Sequence, residues 1–113
     1  MQKIKVKEFF YFQERCKKHD LIIKEVNQDT LLVYSKKYFF DSWLIKKNEN
    51  DEFELWHLNK KNRILKCSYH LHLKVKYRER SQIINAINKH NKYAAFIKNT
   101  KNINLVDRVL NKK

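Results

Sequence analysis

Glycine and proline are both absent from this chain of 113 residues. With no glycine there is no Gly-rich loop to cradle phosphates, which excludes P-loop and Rossmann nucleotide sites. The ordinary turn punctuation is missing as well, so turns have to be built from Asn, Asp and Lys. Cysteine is scarce: two residues make no disulfide framework and point to an intracellular, cytoplasmic chain with reduced thiols. Long apolar runs are missing too. Phe9 to Phe12, behind Lys3, Lys5 and Lys7, is too short for a signal-peptide core or a membrane span, so no membrane role is expected.

Acidic groups are also few, 12 against 26 Lys and Arg, for a formal net charge of +14. A surplus of this size attracts polyanions or acidic proteins. Abundant Lys, Asn and Ile would follow from AT-rich coding alone, but the charge is unevenly spread. Residues 59–113 carry 15 basic and 2 acidic groups, whereas residues 41–58 carry 2 and 5. That asymmetry points to a basic surface in the second half.

The length and the 42% hydrophobic content suit one globular domain over 1–113. Apolar residues at helical spacing (Val6, Phe9, Phe10, Cys16, His19) predict an amphipathic helix over 5–19. Leu21 to Val26 and Thr30 to Lys36 read as one hairpin, and Tyr38 to Lys47 with Glu52 to Leu58 as a second, turning through 48–51. In residues 63–77 an apolar row (Leu65, Cys67, Tyr69, Leu71, Leu73, Val75, Tyr77) alternates with a polar one (Lys66, Ser68, His70, His72, Lys74, Lys76), the mark of a half-buried strand. A helix over 81–98 follows, with Ile83, Ile84, Ile87, Asn91, Ala94, Ala95 and Ile97 on one side, and Asn104 opens a short last helix. The expected fold is α+β: an antiparallel β-meander of about five strands, preceded by one helix and followed by one long and one short helix.

A four-residue turn at 48–51 places Leu44 opposite Leu55 and Trp43 opposite Trp56. A turn near 59–61 places Leu55 opposite Leu65 and Glu54 opposite Lys66. These registers gather Trp43, Ile45, Trp56, Glu54, Lys66, His70, His72, Lys74 and Lys76 on one wet face. Lysines for phosphates and rings for bases suit single-stranded DNA or RNA. Arg78, Arg80, Lys89 and Lys92 extend the expected basic surface. Core burial is the competing role for Trp43 and Trp56.

Other readings use the same residues. As a protein-interaction or inhibitor module of a phage or mobile element, the chain would anchor an acidic protein on Trp43, Ile45 and Trp56. His70 and His72, one residue apart on a strand, aim their imidazoles the same way. This pair resembles the His-hydrophobic-His motif of endonucleases that nick single-stranded DNA in rolling-circle replication, conjugation and transposition. The resemblance implies a divalent metal on His70 and His72 and a nucleophilic Tyr93; without it no catalytic residue and no cofactor is expected. Two Cys-x-x-His pairs, Cys16 with His19 and Cys67 with His70, raise a zinc site, but spacing of three on a strand sends Cys67 and His70 to opposite faces. His70, Lys74, Arg78 and Tyr93 could also serve a metal-independent ribonuclease.

Overall fold

The computed structural model describes residues 2–36, 41–59 and 69–93. Helix α1 (Val6–Lys18) leads into five strands, β1 (Leu21–Asn27), β2 (Thr30–Ser35), β3 (Asp41–Lys47), β4 (Glu52–Asn59) and β5 (His70–Lys76). A 3-10 turn (Tyr77–Glu79) and a helix over residues 81–93, here α2, follow. The strands pair in chain order, every pair antiparallel, so the fold is the expected α+β meander. The expected helix at 104 and the strand segment before Tyr69 lie outside the described residues.

Asparagine and aspartate do the work of glycine. Asp20 (φ 55°) ends α1 and Asp51 (φ 61°) closes the β3–β4 turn, both left-handed positions that Asp tolerates better than most residues. Asn48 Oδ1 accepts the backbone N–H groups of Asn50 and Glu52, both at 3.0 Å. Asn27 Oδ1 accepts that of Asp29 at 3.1 Å.

The β3–β4 turn is one residue longer than expected. Lys47 pairs with Phe53, leaving residues 48–52 in the connection, because the left-handed Asp51 adds a residue to the turn. A slip of one residue exchanges the faces of a strand. Trp43 therefore lies opposite His57, and Trp56 opposite Leu44. The β4–β5 register differs too: Leu55 pairs with Leu73 and Glu54 with Lys74, not with Leu65 and Lys66.

One face of the sheet carries the core. Leu31, Ile45, Leu55 and Leu73 form one cross-strand row, and Val33, Trp43, His57 and His70 the next. Phe12 and Cys16 of α1 and Ile83, Ile84 and Ile87 of α2 pack on these rows and are buried. Phe12 meets Phe53 edge to face at 5.1 Å. Burial of each such side chain is worth about 1.5–3 kcal/mol.

The buried stripe of α1 is Glu8, Phe12 and Cys16, whereas Val6 and Phe10 are exposed. Glu8 is drawn inside by Lys47, which stands on the core face of β3. Lys47 Nζ donates to Glu8 Oε1 at 2.9 Å and Oε2 at 3.1 Å, and lies 3.2 Å from Asp51 Oδ1. Glu8 Oε1 also accepts the Lys5 backbone N–H at 2.8 Å, so one carboxylate caps α1 and neutralises a buried ammonium.

Two bulges interrupt the ladders. In β1 the pairing jumps from Glu25 to Asn27, leaving Val26 extra. In β5 it jumps from Leu73 to Leu71, leaving His72 extra. No helix among the described residues is long and apolar enough to cross a membrane.

Candidate nucleic-acid interface

The β5 bulge divides the stripe of His70, His72, Lys74 and Lys76 between the two faces of the sheet. Val75 and Leu73 face the core. Without a bulge His72 would follow Lys74 and Lys76 outward, but the extra residue keeps it on the core side, where His70 also lies opposite His57. Lys74 and Lys76 point outward, opposite Glu54 and Glu52. The two histidines do aim the same way, but away from the lysines.

The outer face is built around Trp56. Its indole N–H donates to Glu54 Oε1 at 3.0 Å, and Glu54 Oε2 accepts from Asn48 Nδ2 at 3.2 Å. Those bonds hold the half-buried ring across the sheet between Leu44 and Leu71. Lys46 places its ammonium 5.1 Å from the Trp56 ring centroid, and Lys24 sits 5.8 Å from that of Tyr34. Tyr69 reaches across β4 to Ser42, hydroxyl to hydroxyl at 3.0 Å. The face thus combines Lys24, Lys46, Lys74 and Lys76 with Tyr34, Trp56 and Tyr69, against Glu52 and Glu54.

Other expected members stand elsewhere. Trp43 is 1% exposed and Ile45 is fully buried, so both belong to the core, as the longer turn requires. Arg80 is clamped by two rings, its guanidinium 4.3 Å from Tyr11 and 4.4 Å from Tyr77, which makes it a tie between α1 and the 3-10 turn. Arg78 is exposed beside an open hollow with Lys76, Tyr77 and Glu52. Lys89 and Lys92 are exposed on α2, which covers the core face, so they lie on the other side of the molecule from Trp56. Lys66 is outside the described residues.

The core-side histidines form a second constellation. His57 stacks on Trp43 with ring centroids 4.1 Å apart. His72 and His90 meet Trp43 edge-on at 5.2 Å and 5.1 Å. Around His57 stand His90 at 4.6 Å, His70 at 5.1 Å and His72 at 6.1 Å. His72 is held below the ordinary histidine range, first because partial burial disfavours its charge and then because His90 and His70 would repel it. Tyr93, 65% exposed, lies one helical turn beyond His90.

The structure separates the remaining expected sets. Cys16 is fully buried among apolar side chains, and burial pushes its thiol up to about 12, which makes it a protonated core residue. Cys67 is outside the described residues. His70 and Lys74, joined in the ribonuclease reading, face opposite sides of the sheet.

Sequence reasoning missed Lys24, Tyr34, Lys46 and Tyr69 on the outer face, and His57 and His90 in the cluster. The strand alternation of β1 and β2 could have flagged Lys24 and Tyr34. His57 required the length of the β3–β4 turn. No protein-family model matches this chain, and no curated protein or solved structure matches it significantly.

Proposed function

We propose that the chain is a small nucleic-acid-binding protein that takes a single strand across the outer face of its sheet. The observation that carries this reading is Trp56, oriented by Glu54, with the Lys46 ammonium over its ring and Lys24, Lys74 and Lys76 on the same face of the sheet. A base stacks on the indole while Lys46 leaves the ring for a phosphate, and the other lysines track the backbone. Tyr34 offers a second platform two strands away.

The test is fluorescence anisotropy with labelled single-stranded DNA, single-stranded RNA and duplex. Single strands bind better than duplex, and Trp56→Ala weakens them about 5- to 150-fold with an unchanged circular dichroism spectrum. Unaltered affinity in Trp56→Ala would remove the stacking role. Cleavage that needs Mn²⁺ and disappears in Tyr93→Phe would replace simple binding with the nicking chemistry.

A second reading has one observation in its favour. Leu32, Leu44, Trp56 and Leu71 form an apolar cross-strand row, and Leu71 is 47% exposed. Such a row bordered by lysines fits an acidic protein partner. Binding to that partner would survive high salt and be lost in Leu71→Asp.

A further inference from the structure

At one end of the outer face the sheet runs into an open hollow of about 590 Å³, between the β3–β4 turn and the chain leaving β5. That volume lies in the range of clefts that hold small ligands. Asn50, Asp51 and Glu52 line it on one side, and Lys76, Tyr77 and Arg78 on the other. Lys76 belongs both to the hollow and to the outward lysines of β5, so the two surfaces are continuous. The acids of the hollow are already engaged. Asp51 lies 3.2 Å from the buried Lys47 ammonium, and Glu52 accepts from Asn48 Nδ2 at 3.2 Å. Lys76 and Arg78 are exposed, and neither enters an ion pair among the described residues. Asn50 gives the turn its backbone N–H. Tyr77 is fixed from one side by the Arg80 guanidinium, 4.4 Å from its ring centroid.

We propose that this hollow takes a further nucleotide of the bound strand, its phosphate held between Lys76 and Arg78; the inference rests on the reading of the outer face as a single-strand interface. The planar guanidinium of Arg78 suits two phosphate oxygens at once, and Lys76 supplies a point charge beside it. The Asn50 side-chain amide, both donor and acceptor, meets the sugar or a base edge. The path follows a diagonal of the sheet. Tyr34 stands one row to one side of Trp56, while Lys74 and then Lys76 stand in successive rows on the other. Glu52, at the hollow, is four residues from Trp56 along β4, about 13 Å at roughly 3.3 Å per residue. At the duplex spacing of about 3.4 Å per nucleotide a strand covers that distance in about four steps, and in fewer when extended. Short strands therefore stay on the sheet, and only longer ones reach Arg78.

The test is anisotropy with labelled oligothymidylates of increasing length, up to about twelve nucleotides, on the full chain, Arg78→Ala and Trp56→Ala. Affinity is expected to step up once the strand is long enough to span from Trp56 to the hollow, and the step is missing in Arg78→Ala. On the longest strand Arg78→Ala weakens binding roughly tenfold. There the slope of log K against log salt, steeper by about 0.7 than the lysines of the sheet give alone, loses that increment. The melting temperature of Arg78→Ala stays that of the unaltered chain, because the side chain is exposed. Binding that depends on Trp56 but is indifferent to Arg78→Ala at every length overturns the hollow and leaves the outer-face reading standing. Absence of binding, or binding indifferent to Trp56→Ala, overturns that reading and this inference with it.

Discussion

The proposed binding of a single strand carries a salt dependence that follows from the outer face. Lys24, Lys46, Lys74 and Lys76 project there, and each contacted phosphate of a single strand contributes about −0.7 to the slope of log K against log salt. Four contacts predict a slope of about −2.8, hence roughly 50-fold weaker binding at 200 mM than at 50 mM. Replacing Lys74 and Lys76 by Ala halves the slope to about −1.4 and shrinks the loss to roughly 7-fold. Trp56→Ala lowers affinity at every salt concentration but leaves the slope alone, because stacking releases no counterions. Lys89→Ala with Lys92→Ala, on the far side of the molecule, also leaves the slope unchanged. Anisotropy titrations at four or five salt concentrations measure all of these. A slope near zero, or one indifferent to Lys74 and Lys76 but sensitive to Lys89 and Lys92, would refute the assignment of the outer face.

Other consequences concern stability. Glu8→Gln leaves the Lys47 ammonium buried with only the partly exposed Asp51 as a charged partner, and costs about 3–5 kcal/mol in urea unfolding. Alkaline pH destabilises the fold: Cys16 stays a thiol up to about pH 12 in the native state but ionises near 9.0 when unfolded, so stability falls as pH rises across that interval. Cys16→Ala flattens that fall, read as melting temperature against pH. Lys47 acts in the same direction. Burial disfavours its charge, but hydrogen bonds to Glu8 and Asp51 outweigh that and raise it above the ordinary lysine range, so its contribution disappears as pH rises through the native value. Asp20→Gly stabilises by about 0.5–1 kcal/mol, since glycine is at ease at φ 55°, whereas Asp20→Val destabilises.

The elements and their order were legible because local signals determine them. Helical spacing marked α1, alternation marked the strands, and the Asn and Asp clusters marked the turns. Register was not legible. Whether Trp43 meets Trp56 or His57 depends on one residue of turn length, and Asp51 decides that only by adopting a left-handed backbone, which an aspartate in a sequence does not announce. The β5 bulge was hidden for a related reason. The alternation of His70, His72, Lys74 and Lys76 reads identically with or without an extra residue, yet the bulge sends two of the four to the core side. Glu8 escaped notice because a carboxylate on a helix normally faces water, and its buried partner is 39 positions away. The outer face was therefore half foreseen, with Trp56, Lys74 and Lys76 in place and Trp43 not.

Strand β1 ends the sheet and pairs on one side only among the described residues. A free strand edge is a template on which another molecule can extend the sheet. The surplus Val26 breaks the even spacing of donors and acceptors that such an addition must match, and Lys24 and Glu25 beside it are exposed. A second chain growing onto β1 would lose step after a few residues and leave backbone groups unmet. The same irregularity that looks like a flaw in the hairpin thus makes the β1 edge a poor template for a further strand.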